Sequence, residues 1–186
     1  CMVEKAVNAA NPQASFKHIK SALEKNRQCR PARIIKGLLF LKTDKVQKAV
    51  DEFQQVIEEG LLRDMNDFKN VEKAYIAAGK EGDLTNLLRQ QASQGALNPF
   101  IHIALAEKYE YNNEKESAKI ILESYIEQPD SKIIAAKVLA EKFNNKFIGH
   151  IVKDTYSFKC RNCGFETNQY KDDCPKCSAY DSIYPK

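Results

Sequence analysis

The sequence predicts a mainly α-helical chain of stacked helix pairs, followed at the C-terminus by a small four-cysteine metal-binding domain. Three observations carry this prediction. Up to about residue 150 apolar residues recur at helical spacing, broken by short polar turns, with no convincing strand pattern. The aromatic residues Phe40, Tyr75 and Tyr109 recur at intervals of 35 and 34 residues, a repeat period and not a helical one. Four of the six cysteines form C-x2-C-x10-C-x2-C near the end of the chain. The expected division is a helical domain over residues 1–150, truncated at its N-terminus, and a metal-binding domain over residues 154–186.

The helical part is read from its period. Nine residues after each recurring aromatic stand Ala49, Leu84 and Ala118; thirteen after stand Phe53, Leu88 and Leu122. One unit therefore holds two helices, with the first aromatic near the end of the first. Gly37 and Ala106 stand three residues before Phe40 and Tyr109, where close packing of a helix pair favours a small residue; Glu72 breaks the rule in the middle unit. The units run from Arg30 to Gly60, through Tyr75 with a turn expected at Lys80-Glu-Gly82-Asp83, and from Asn98 to Pro129. One period earlier, Ser15 and Ile19 fall in the second helix of a preceding unit, whose first helix would leave its remnant in residues 1–10. The chain thus reads as starting inside a repeat. Ser131 is placed to cap a last helix running to about Asn144. This pattern resembles the tetratricopeptide repeat, which implies a curved solenoid; a plain helical bundle is the alternative. On that register Ile34, Leu38, Leu41, Lys69, Lys73, Ile103 and Glu107 face the concave, partner-binding side, although each can equally serve inter-helix packing.

The cysteine segment is read from its spacing. Two residues between cysteines make a tight knuckle, and two facing knuckles supply four sulfurs at the corners of a tetrahedron. Cys160, Cys163, Cys174 and Cys177 are the expected ligands, and clustering within one short segment argues against a disulfide scaffold. Gly164 follows the first knuckle, where a positive φ is often required. Pro175 stiffens the second, and Tyr156, Phe158, Phe165, Tyr170, Tyr180 and Tyr184 are candidates for a miniature core. About thirty residues bury too little surface to fold alone, so metal binding must supply folding free energy. Zinc is the expected metal, with iron the alternative. The pattern resembles the rubredoxin-type knuckle pair, but Ser178 stands where electron carriers of that type have Gly after the second knuckle. Four protein ligands leave no open position for a catalytic water.

Composition narrows the function classes. The net charge is +4, from 29 basic and 25 acidic residues whose signs are interleaved along the chain. Interleaving suits a solvated helix face, and no clustered basic stripe points to nucleic acid. No Gly-rich phosphate loop is present, and no apolar run is long enough to span a bilayer. His18, His102 and His150 are scattered, without a nucleophile at a recognisable spacing; Cys29 sits at a turn before Pro31. Glu58-Glu59 and Asp172-Asp173 read as solvated loop charges. No catalytic residue and no enzyme are predicted.

Helix-pair repeats followed directly by a knuckle pair form a rare combination that resembles the lipopolysaccharide assembly protein B family of Gram-negative bacteria. Tyr156-Ser-Phe-Lys159-Cys160-Arg-Asn-Cys163-Gly164-Phe165 is similar to that family's aromatic-basic-CxxCGF opening. Cys174-Pro-Lys-Cys177-Ser178-Ala179-Tyr180-Asp-Ser182-Ile183 is similar to its CPxC-x-A-aromatic-x-S/T-I close. The repeat from Ala32 to Gly60 fits the same alignment. The resemblance implies a non-enzymatic adaptor on the cytoplasmic face of the inner membrane, anchored by an N-terminal helix absent from this sequence. It implies three protein partners: the deacetylase that commits precursor to lipid A, a membrane-bound ATP-dependent metalloprotease that degrades it, and a membrane protein that senses lipopolysaccharide. A rubredoxin-like iron electron carrier fused to a protein-binding repeat is the competing function.

Overall fold

A computed structural model of the chain describes residues 11–144, 148–149, 152–153 and 155–186. The remnant helix expected in residues 1–10 lies outside the described residues, as do Cys1 and His150. Eight α-helices of ten residues or more run through the described part: α1 Pro12–Lys25, α2 Arg30–Lys42, α3 Val46–Glu58, α4 Met65–Ala77, α5 Glu81–Ser93, α6 Pro99–Tyr111, α7 Lys115–Ile126 and α8 Ile133–Lys142. Three short strands follow: β1 Phe158–Cys160, β2 Glu166–Thr167 and β3 Ile183–Pro185. The fold is therefore mainly α with a small C-terminal cysteine ribbon. Two compact units divide the chain, Cys1–Leu87 and Leu88–Lys186, with α5 straddling the division.

The repeat is written into the helix ends. Asp44, Gly79 and Asn113 all take positive φ, of 56°, 65° and 65°. Each follows a first-type helix, and each time the next backbone N–H reaches back to the recurring aromatic. Lys45 N donates to Phe40 O, Lys80 N to Tyr75 O and Glu114 N to Tyr109 O, all at 2.8 Å. This is the Schellman closure, which satisfies carbonyls that a helix end would otherwise leave unpaired. Gly60 and Gly95 close α3 and α5 in the same way, through Leu61 N to Val56 O at 2.9 Å and Ala96 N to Gln91 O at 3.1 Å. Proline at the corresponding place after α7 cannot adopt positive φ, and that helix ends differently. The expected turn at Lys80–Asp83 is corrected. The chain reverses at Gly79, and Gly82 and Asp83 already lie in α5.

In the first unit α2 packs on α3, and α4 packs on both; α1 packs on α2. The core is apolar, with Ala49, Phe53, Val56 and Ile57 fully buried. Gly37 has a packing reason: a Cβ added there would lie 2.5–2.8 Å from the Phe53 ring. Ser15 and Ile19 are buried on α1, as the period required. Charges enter this core as well. Arg30 pairs with Asp67 through two hydrogen bonds, Nε to Oδ2 at 3.0 Å and Nη2 to Oδ1 at 2.9 Å. Arg33 bonds Glu52 at 3.1 Å and Glu59 at 2.9 Å, and Lys36 also reaches Glu52. Charge interleaving therefore does not mean solvation throughout. Of the presumed loop pair, Glu58 lies within α3 and Glu59 holds a nearly buried arginine.

In the second unit α6, α7 and α8 repeat the same three-way packing. Ala118 and Leu122 of α7 are fully buried, and Ala106 of α6 is 1% exposed. His102 is buried on α6, its ring 4.4 Å from that of Tyr125 on α7, with Nε2 donating to Ala96 O at 2.8 Å. Ser131 does not cap α8. Its hydroxyl donates back to Ile126 O at 3.0 Å, and Lys132 takes the cap position without a side-chain bond. The ribbon belongs to this unit and packs on its helices. Phe158 stacks on Phe100 of α6 with centroids 6.4 Å apart and planes 13° apart. Ile133 N donates to Lys186 O at 3.0 Å, and Lys137 Nζ of α8 bonds Thr155 O and, at 2.8 Å, Asn168 Oδ1.

Candidate metal centre

The ribbon is a three-stranded antiparallel sheet in the order β2-β1-β3, with Lys159 opposite Glu166 and Cys160 opposite Ile183. Each CxxC lies in a knuckle of the same construction. In the first, Cys160 N donates to Phe165 O at 2.8 Å and Gly164 N to Cys160 O at 3.0 Å. In the second, Cys174 N donates to Ala179 O at 3.1 Å and Ser178 N to Cys174 O at 2.8 Å. Gly164 has φ 74° and Ser178 φ 55°. The second knuckle thus makes the left-handed turn without glycine, at the steric cost of a Cβ.

This geometry brings all four predicted cysteines together, their sulfurs lying within 4.8 Å of one another. All four are free thiols. Cys160 Sγ is 3.8 Å from Cys177 Sγ, and Cys163 Sγ is 3.6 Å from Cys174 Sγ. A tetrahedron with metal–sulfur bonds of about 2.3 Å has edges of about 3.8 Å. The four thiols therefore fit a four-sulfur site and could hold a metal ion. Cys160 and Cys174 are buried, and Cys163 and Cys177 are partly open.

Hydrogen bonds differentiate the sulfurs. The Ser182 hydroxyl, 3.2 Å from Cys160 Sγ, is the largest influence lowering that thiol's pKa to about 6. The Asn162 amide, 3.4 Å from Cys177 Sγ, lowers that pKa likewise. At Cys163 the Phe165 N–H acts to lower the pKa, but burial and its three cysteine neighbours outweigh it and push it up to about 12. Two thiols of the four are thus primed to ionise, one in each knuckle.

The aromatic expectation needs correction. Of the six aromatic residues proposed as a miniature core only Phe158 is buried; Tyr156 is exposed and the other four are half-buried. The ribbon's buried apolar residues are Phe158 and Ile183, and Phe158 is shared with α6. Ser182 and Asn162 were not recognised from the sequence, because side chains 22 and 15 residues away from the sulfurs they meet carry no spacing signal.

The proposed partner-facing residues separate by burial. Ile34 and Ile103 are 8% and 2% exposed, so each is engaged by its own chain. Leu38 and Leu41 are half-buried, and Lys69 and Lys73 are exposed on α4. Glu107 is half-buried and lies 3.7 Å from Lys142. His18 is half-buried on α1, and Cys29 packs partly buried against the cluster of Ile19, Ala22 and Ala32. No described helix is long and apolar enough to cross a membrane.

No family model matches the chain. Curated proteins do match, over most of the chain. Lipopolysaccharide assembly protein B of Haemophilus influenzae is 21% identical over 90% of this chain and 46% of its own length. The chain is similar to proteins named lipopolysaccharide assembly protein B. The Escherichia coli K12 protein of that name is 20% identical over 82% of the chain and 42% of its own length. This chain thus spans less than half the length of the lipopolysaccharide assembly B proteins it matches. The expectation drawn from the two cysteine motifs and the repeat from Ala32 to Gly60 is met at the level of homology.

Proposed function

We propose that the chain is part of a non-enzymatic adaptor that regulates lipopolysaccharide synthesis. In this reading tetratricopeptide-type helix pairs offer a protein-binding surface, and a zinc ion closes the ribbon. The supporting observation is a match over most of the chain to proteins named for lipopolysaccharide assembly. The adaptor brings the committed-step lipid A deacetylase to a membrane-bound ATP-dependent metalloprotease, and a lipopolysaccharide-sensing membrane protein restrains it. Its place is the cytoplasmic face of the inner membrane. Nucleic acid has no role.

Cys160, Cys163, Cys174 and Cys177 hold the zinc. The metal supplies a structural cross-link, and the chain's own residues set where the sulfurs stand. Leu38, Leu41, Lys69, Lys73 and Glu107 remain the candidate contact residues; Ile34 and Ile103 serve packing.

The test is a pull-down of the deacetylase and the protease, with this chain and with a full-length protein that contains it. Specific capture by the full-length protein, weakened by Lys69→Glu with Lys73→Glu, is the expected result. Absence of capture, with deacetylase turnover unchanged when the full-length protein is depleted, would overturn the adaptor reading.

A further inference from the structure

The side chains around the sulfurs form an outer shell that the two knuckles alone would not provide. Backbone N–H groups already serve the sulfurs: those of Asn162 and Cys163 face Cys160, that of Phe165 faces Cys163 and that of Ala179 faces Cys177. Two side-chain donors add to these. Ser182, immediately before the last strand, lies 3.2 Å from Cys160 Sγ and is 8% exposed. Asn162, between the cysteines of the first knuckle, reaches across to Cys177 of the second at 3.4 Å. One contact ties β3 to the first knuckle, and the other ties the knuckles to each other.

The Ser182 hydroxyl has one proton and two acceptors in reach, since Ala179 O lies 2.7 Å away. A sulfur bound to a cation cannot donate, so the bond to Cys160 then needs the serine proton. Ala179 O can release it without being left unpaired, because it also accepts from Cys174 N. The same carbonyl belongs to the second knuckle's own turn. Ser182 therefore lies within reach of both knuckles, and its one proton serves Cys160 when a metal is bound. Hydrogen bonds to coordinating thiolates fix their orientation and draw electron density from sulfur, and outer partners of this kind commonly govern metal affinity.

We propose that Ser182 and Asn162 are positioning residues for the metal, Ser182 holding Cys160 of the first knuckle and Asn162 holding Cys177 of the second in the orientation that closes the tetrahedron. This rests on the reading that the four cysteines bind a metal. Ser182 acts from a buried site and Asn162 from an exposed one, so Ser182 has the larger effect.

The experiment measures zinc affinity of the whole chain by competition with a chromogenic chelator. It also measures the sulfur-to-cobalt charge-transfer band of the cobalt-loaded protein. Ser182→Ala is expected to lower zinc affinity by about 10- to 100-fold and to move the cobalt band to lower energy, because a sulfur relieved of its hydrogen bond is the easier electron donor. Asn162→Ala is expected to shift both in the same direction by less, and Ser182→Thr to keep wild-type values. A purely structural role for Ser182 would lower thermal stability without moving the band. Wild-type affinity and an unmoved band in Ser182→Ala overturn the proposal while leaving the metal reading intact. If Ser182→Ala does not fold, unchanged affinity and band in the surface variant Asn162→Ala overturn it. Failure of the wild-type chain to bind either zinc or cobalt overturns the metal reading and this proposal with it.

Discussion

At the scale of single residues, close packing sets sharp expectations. Gly37 lies against the fully buried Phe53 ring, 2.5–2.8 Å from where a Cβ would stand. Gly37→Ala should therefore cost about 1–3 kcal/mol by overpacking, read as a lower denaturation midpoint with an unchanged slope. Ser178 gives the opposite case. It holds φ 55° where the first knuckle has glycine, so Ser178→Gly should stabilise the metal-loaded ribbon by about 1 kcal/mol, seen as a higher ribbon melting temperature. Gly37 was legible in the sequence because a small residue three before an aromatic has a packing meaning. The Arg30–Asp67 and Arg33–Glu52 pairs were not. A charged residue on a helix reads as solvated unless the partner helix is known, and these partners lie 37 and 19 residues away.

At the scale of elements, the repeat was visible through its aromatics and hidden at its turns. Phe40, Tyr75 and Tyr109 were picked out by period alone, and their carbonyls prove to be the acceptors that close α2, α4 and α6. The left-handed residue of each closure varies among Asp44, Gly79 and Asn113, so only the glycine looked like a turn. The middle turn was nonetheless sought too late, among Lys80 to Asp83, because Gly82 and Asp83 read as turn residues although they lie in α5. The α6–α7 pair carries a pH dependence. Burial lowers the pKa of His102 below its ordinary value, although its bond to Ala96 O opposes this. Nε2 is committed to that carbonyl and Nδ1 is buried without a hydrogen-bond partner. The neutral ring is thus the folded form, so the unfolded chain binds the proton more tightly. The stability His102 contributes is complete above about pH 6.5 and is lost as pH falls from there through the lower folded value. Melting temperature should drop between about pH 7 and pH 5, and the drop should be smaller in His102→Gln. An equal drop in that variant would remove His102 as the cause.

At the scale of the molecule, the ribbon is both a metal-binding and a docked element. Its buried aromatic stacks on α6, and its last residue and its entry loop are bonded to α8. The sequence made the four ligands legible through spacing alone, and a last helix packing near them was expected, whereas the stacking of Phe158 on α6 was illegible because Phe158 looked like part of a local core. Two consequences follow for the second unit. Phe158→Ala should destabilise it by about 3–5 kcal/mol, more than a self-contained ribbon would transmit to the helices. Cys160→Ser should lose the metal and expose the ribbon to protease while α2 to α7 keep their helical signal. The most direct test of the account is the metal itself, measured by elemental analysis and sulfur-edge absorption on protein purified without added metal. The predicted result is one zinc per chain in a four-sulfur shell, absent from Cys160→Ser and Cys177→Ser. A metal-free chain with a protease-resistant ribbon, or a red iron form with reversible one-electron reduction and no zinc, would contradict it.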